Sequence, residues 1–260
     1  MQMSGNTILI TGGGSGIGRG LAEGFHARGN KVIVTGRRKA MLDEVAAANP
    51  GIETMVLDID DPASIRRVAA EALERFPGLN AVIHNAGIMR NERLLDGAVA
   101  DAEAIVSTNL LGPIRLTAAL LPHLAAQAQA TVMTVTSGLA FVPLALTPTY
   151  CATKAAIHSW TQSLRYQMRN SGVQVIELAP PYVQTELMGA RQATDPMAMP
   201  LGDFIREVFA LLESQPEATE ICVERVRGMR NAEAGGNHAA LFQQLNDRFF
   251  AARAEEAKGI

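Results

Sequence analysis

Short apolar, β-branched runs at residues 7–11, 31–35, 54–58, 81–85, 131–137 and 173–178 alternate with stretches whose apolar positions recur every three or four residues. The runs predict strands, because a strand covered on both faces is apolar almost throughout. The stretches between them predict helices with one buried side. Ile17, Leu21 and Phe25 mark the first; Met41, Leu42 and Val45 the second; Ile65, Val68, Ala69, Ala72 and Phe76 the third, which Pro62 opens. A long helix is expected over 102–127, interrupted at Gly112-Pro113, and another over 150–170, closed by Ser171-Gly172. Residues 186–200 carry two prolines and a glycine and read as irregular chain. A helix at 203–213, a strand at 220–226 and a last helix at 238–252 complete the pattern.

Strands alternating with helices at this pitch imply parallel strands joined by right-handed crossovers. The expected fold class is α/β, a single doubly wound parallel sheet with helices on both faces, filling residues 1–260 as one domain. Residues 186–213 are expected to form a substrate lid of loop and helix, and 227–260 a C-terminal tail. At 48% apolar and 19% charged residues the composition suits such a core. The formal net charge of −3 excludes the basic surplus expected of a nucleic-acid or anionic-membrane partner. The two cysteines have no pairing or metal-ligand spacing, which fits a reduced, cytoplasmic chain. No secretory leader and no apolar run of membrane-spanning length is read. The five histidines are scattered, with no pair at i+3 or i+4, so no metal site is expected.

Chemistry enters at two places. The first strand feeds Thr11-Gly12-Gly13-Gly14-Ser15-Gly16-Ile17-Gly18 and then a helix. A helix start offers unpaired N–H groups to a phosphate, and glycine lets the backbone approach it closely. The second strand ends in Gly36-Arg37-Arg38, with no carboxylate for a ribose 2′-hydroxyl. Guanidiniums at a helix start oppose the dipole unless an anion sits there, so Arg37 and Arg38 favour NADP, with its 2′-phosphate, over NAD. Further along, Tyr150 and Lys154 are four apart and share a helix face, and Ser137 closes the fifth strand. An ammonium beside a phenol stabilises the phenolate, so this pair can pass a proton to or from a substrate oxygen that Ser137 also bonds.

The set Thr11–Gly18, Asp58, Asn85-Ala86-Gly87, Asn109, Ser137, Tyr150 to Lys154 and Pro180-Pro181-Tyr182-Val183-Gln184-Thr185 resembles a short-chain dehydrogenase/reductase of the single-domain branch. The resemblance implies a Rossmann-like, NAD(P)-binding fold and roles for single residues. Tyr150 would be the general acid/base and Ser137 would orient the carbonyl. Lys154 would bind the nicotinamide ribose and tune Tyr150, and Asn109 would hold a water linking Lys154 to solvent. Gly12, Ser15, Gly16, Ile17 and Gly18 would cradle the cofactor, and Arg37 would hold its phosphate. Asp58 would meet the adenine amine, Asn85 would lie beside the cofactor, and Val183 and Thr185 would contact the carboxamide. Pro181 stands where the family usually has glycine. That pairing is similar to a subgroup named for an oxidoreductase of a D-alanine-transfer operon. The tail lacks the family's usual ending.

The reading is an NADP-dependent oxidoreductase acting on a small carbonyl or alcohol substrate, cytoplasmic, and a homodimer or homotetramer. The alternative is an NADP-binding regulatory or sensor protein with little turnover, which loss of the tyrosine or lysine would favour. An isomerase or lyase would need a larger substrate domain. The substrate lid is expected to be mobile, with Leu187, Met188, Met197 and Met199 facing an apolar substrate.

Overall fold

Seven strands carry the apolar runs: β1 (Thr7–Thr11), β2 (Lys31–Gly36), β3 (Glu53–Val56), β4 (Leu79–His84), β5 (Ala130–Val135), β6 (Val173–Leu178) and β7 (Glu220–Ile221). This computed structural model describes residues 1–252, so the last eight positions of the expected 227–260 tail lie outside the described residues. Among the described residues the strands form one parallel sheet in the order β3-β2-β1-β4-β5-β6-β7. The order reverses between β1 and β4, and a ligand crevice opens beyond the carboxyl ends at such a point.

Among the described residues, ten helices surround the sheet: α1 (Gly16–His26), α2 (Lys39–Ala48), α3 (Pro62–Arg75), α4 (Ala100–Val106), α5 (Gly112–Ala126), α6 (Pro148–Met168), α7 (Ala190–Thr194), α8 (Leu201–Ser214), α9 (Glu224–Arg230) and α10 (His238–Ala252). Alternation along β1 shows how both faces are filled. Ile8 and Ile10 join Phe25 of α1 and Phe204 and Phe209 of α8 in one core. Leu9 points the other way, to Val68 of α3 and Leu116 and Leu120 of α5. Asp61 fixes the start of α3 by accepting from the N–H groups of Ala63 and Ser64 at 2.8 and 3.1 Å, with Pro62 preset behind it.

The structure departs from the sequence reading in four places. The expected strands at 54–58, 81–85 and 131–137 end early, at Val56, His84 and Val135. The residues after them turn out of the sheet to build the crevice.

The expected break at Gly112-Pro113 does not occur. Residues Ser107–Leu111 form a π turn, and α5 continues directly from it. The widened turn changes the hydrogen-bond ladder just where Pro113 lacks a donor. Gly112 serves close packing instead: a Cβ there would sit 2.6 Å from Ile59. The resulting helix, Ala100–Ala126, is 27 residues long and apolar enough by length and composition to cross a membrane, contrary to the expectation that no such run exists. Here it forms a layer of the sheet domain, with Ile105, Leu116, Leu120 and Leu124 buried.

The strand expected at 220–226 stops at Ile221, because the Glu224 N–H turns to the Glu207 carboxylate at 2.6 Å and starts α9. Lastly, 186–200 is not structureless. It contains α7, and Val183 pairs with Met199 in a single parallel bridge.

Candidate active site

The crevice at the carboxyl edge is a cleft of about 450 Å³ running from the glycine turn to α10. At one end Gly12 leaves β1 with φ +66°, and a Cβ there would lie 2.9 Å from the Ala86 backbone. Gly18 sits tighter, since its Cβ would lie 2.3 Å from both the Gly12 carbonyl oxygen and the Asn85 amide nitrogen. These two glycines let α1 start against the sheet edge. Ser15 is the residue before α1, and its side chain makes no capping bond; the first turn holds no acid. Gly12, Ser15, Gly16 and Ile17 line the cleft, while Gly18 lies behind them as the packing contact. Asn85 donates to the carbonyls of Thr11 and Gly12 at 3.0 and 3.2 Å, and its own N–H is accepted by the Thr11 hydroxyl at 3.0 Å. It therefore ties β4 to the turn and lines the cleft.

Arg37 and Arg38 border the cleft beyond β2. Arg37 is 58% exposed, with a nitrogen 3.8 Å from the Asp60 carboxylate, an exposed pair that contributes little. The other Asp60 oxygen accepts from the Thr108 hydroxyl at 2.6 Å. Asp58 is not among the residues that line the cleft. Its carboxylate accepts from the Asp60 N–H at 3.1 Å, and the cleft wall there is Leu57 and Ile59.

At the other end stand Ser137, Tyr150 and Lys154. Ser137 caps the turn Gly138–Ala140, accepting from the Leu139 N–H at 3.1 Å, and also hydrogen-bonds Tyr150. Tyr150 is 6% exposed. Burial raises its phenol above the ordinary tyrosine range, and the Ser137 bond pulls the other way. The Lys154 ammonium lies over the Tyr150 ring, 5.5 Å from its centre, and donates to the Val135 carbonyl at 2.8 Å. Lys154 itself is lowered to about 8 by burial, with Glu177 acting to raise it.

Asn109 sits in the π turn, buried and outside the cleft wall. Its amide clamps Ile88, accepting from the Ile88 N–H and donating to its carbonyl, both at 2.9 Å, and reaches Thr153 at 3.3 Å. The side chain thus ties the segment after β4 to α6. Val183 and Thr185 line the cleft, and Thr185 packs against Gly16. Of the expected substrate-facing residues, Leu187 and Met188 line the cleft. Met199 lies in the main core and Met197 against a smaller one.

Comparison with known proteins decides what this arrangement is. The profile of the short chain dehydrogenase family matches residues 6–196. The chain belongs to that family.

This short-chain dehydrogenase is 39% identical over 252 residues, 95% of its length and 98% of the relative's, to the uncharacterized oxidoreductase DltE of Bacillus subtilis strain 168. Its subgroup is therefore the D-alanine-transfer operon oxidoreductases. Among solved structures it is similar to a short chain dehydrogenase from Burkholderia cenocepacia in complex with NADP, at TM-score 0.79 and 25% identity over 94% of this chain and 99% of that one. It is also similar to the 3-ketoacyl-(acyl-carrier-protein) reductase of Brucella melitensis complexed with NADH, at TM-score 0.77 and 26% identity over 86% and 100%. The chain is thus an oxidoreductase of a family that works with a nicotinamide cofactor.

Three features of the dehydrogenase escaped the sequence. Gln192 is buried in α7, donates to the Val183 carbonyl at 2.8 Å and to the Thr185 hydroxyl at 3.0 Å, and accepts from the Met188 N–H at 3.0 Å. It fastens the expected lid to the cleft floor; an amide in an irregular stretch gave no signal. Leu245 and Phe249 of α10 close the cleft near Tyr150, where the sequence predicts only a last helix. Glu177, inside an apolar strand, was passed over as a strand residue.

Proposed function

We propose that this enzyme is an NADP-dependent oxidoreductase that interconverts a carbonyl and an alcohol on a small, largely apolar molecule. One observation carries the reading. Ser137, Tyr150 and Lys154 meet at one end of a single cleft whose other end holds the glycine turn and Arg37. The residues fit the cofactor: the helix start of α1 is free of acids, Gly12 and Gly18 let that helix start against the sheet edge so that its N–H groups face the cleft, and no carboxylate ends β2. Gly12, Ser15, Gly16 and Ile17 would hold the pyrophosphate, Arg37 the 2′-phosphate, Asn85 the central portion, Lys154 the ribose hydroxyls, and Val183 and Thr185 the carboxamide. The bound nicotinamide supplies or accepts the hydride.

The chain's own residues handle the oxygen. In the reducing direction Tyr150 donates its phenolic proton to the oxygen as the C–O bond becomes single, and Ser137 holds that oxygen by a second hydrogen bond. The nearby Lys154 charge offsets the phenolate that forms. Burial raises the free phenol, so it stays protonated until the reaction itself builds charge.

Tyr150→Phe removes one proton and no bulk. Turnover of a good aldehyde substrate, followed by NADPH absorbance, should fall by about 10²-fold or more, while the NADPH Kd stays within about twofold. Near-normal turnover in this variant would overturn the assignment. A regulatory reading is not favoured, since the tyrosine and lysine are both present and placed. The two cysteines are free thiols, which supports a cytoplasmic setting. The segment 186–213 is the proposed substrate lid.

A further inference from the structure

Glu177, near the carboxyl end of β6, is a charged side chain with no part in the chemistry above, yet it is 0% exposed. Its carboxylate accepts from the Thr136 hydroxyl at 2.7 Å and from the His158 ring Nδ1 at 2.7 and 2.9 Å. Thr136 lies between two anchors of the active site. The Val135 carbonyl holds the Lys154 ammonium, and Ser137 holds Tyr150. His158 lies one helical turn beyond Lys154 on α6. Glu177 thus grips both the strand end and the helix that present the three reacting side chains.

A buried carboxylate is costly unless its charge is answered. The charged and titratable groups facing this region are Lys154, His158 and Arg165 from α6, Glu220 and Cys222 from and beside β7, and Arg230 from α9. Arg230 is bidentate on Glu220, at 2.7 and 3.0 Å. Arg165 donates to the carbonyls of Val175 and Thr219. His158, 2.7 Å from Glu177, pairs with the carboxylate directly when it carries a proton, whereas Lys154 donates to the neutral Val135 carbonyl and feels the Glu177 charge across the Val135–Thr136 strand end. Donor atoms of His158, Glu177 and Glu220 lie within 4.8 Å of one another, but Arg230 already supplies a cation there, so the cluster is a charge network and not a metal centre.

We propose that Glu177 is a positioning residue, a buried counter-ion that keeps the Lys154 ammonium charged and, through Thr136, fixes the strand end between the anchors of Lys154 and Tyr150. This rests on the role given to Lys154 above. The sign of the coupling follows from charge. Burial lowers Lys154 to about 8, and Glu177 acts against that fall. Without the carboxylate, the ammonium loses its proton at a lower pH, and charge that helps bind cofactor and offset the phenolate is lost earlier as pH rises.

The chain has four lysines, Lys31, Lys39, Lys154 and Lys258, so isotope-labelled lysine gives a spectrum simple enough to follow by NMR. Lys154 is assigned by its loss in Lys154→Ala. In cofactor-free Glu177→Gln the Lys154 midpoint should fall by on the order of 1 unit, and the weakening of NADPH binding at alkaline pH should set in correspondingly earlier. Glu177→Asp, which keeps the charge, should restore most of the shift. An unchanged Lys154 midpoint in Glu177→Gln overturns the proposal, even if activity drops evenly at all pH values. Should that variant not fold, His158→Ala removes a donor and leaves the carboxylate, so the midpoint should stay or rise; a fall overturns the proposal. The functional reading fails separately, if Lys154→Ala leaves NADPH affinity and turnover untouched.

Discussion

Arg37 shows how much a single residue can decide. It lines the cleft beyond β2, follows a strand with no terminal carboxylate, and its ion pair with Asp60 is long and exposed. A dianionic phosphate is a far better partner for a guanidinium than a carboxylate 3.8 Å away. Arg37→Ala should therefore weaken NADPH by about 1.5–3 kcal/mol, roughly ten- to a hundredfold, and leave NADH nearly unchanged. Equal loss for both cofactors, measured by fluorescence titration, would show that Arg37 does not read the phosphate. At this scale the sequence was readable where the backbone fixes the role, as at Gly12 and Gly18. It was not readable where a side chain's direction decides. Asp58 turns to the Asp60 N–H, Asn109 turns to Ile88, and Lys154 lies over the Tyr150 ring. Spacing along the chain is the same for either orientation.

Helices α7 and α10 shape the cleft where Tyr150 stands. Phe249 packs edge-on against Tyr182, 5.6 Å between ring centres, and the Tyr182 hydroxyl donates to Asp195 at 3.0 Å. Asn246 docks α10, accepting from the Ala145 N–H at 2.6 Å and donating to the Pro143 carbonyl at 3.1 Å. This wall offers apolar contact, so Phe249→Ala should lower kcat/KM for long-chain aldehydes at least tenfold, by loss of about 1.5–3 kcal/mol of burial, and barely affect a two-carbon aldehyde. A uniform loss across chain lengths would show that α10 is support only. The Gln192 latch makes a separate prediction for α7. Lid segments open on the microsecond-to-millisecond scale, so amide exchange over 186–200 should be slowed by NADPH with substrate. Gln192→Ala should speed it in the free enzyme. Strong, equal protection in both forms would mean a fixed surface loop. The π turn at Ser107–Leu111 belongs here too: helical periodicity announced a helix, but only packing against Ile59 explains why it passes through Gly112-Pro113 unbroken.

On the scale of the whole molecule, the helix Ala100–Ala126 is more apolar than its covering requires, with 44% of its most apolar window buried. Leu111 on the π turn and Tyr166 on α6 are exposed, at 37% and 68%. Apolar helix surface left to water favours association, so the protein should sediment as a dimer or larger at micromolar concentration. A single species near the 27.7 kDa chain mass would contradict this.

What the sequence determined by itself was the α/β alternation, the parallel doubly wound sheet, the glycine turn at its carboxyl edge and the helix that Tyr150 and Lys154 share. These follow from local periodicity and from backbone demands that few residue types meet. What the tertiary structure alone decided was everything that depends on two distant segments meeting. It set the turn of chain at Glu224 toward Glu207, the closure of the cleft by α10, the Gln192 latch, and the burial of Glu177 between β5 and α6. A polar side chain in an apolar run carries no mark of its partner, because the partner is brought to it by the fold and not by the neighbouring chain.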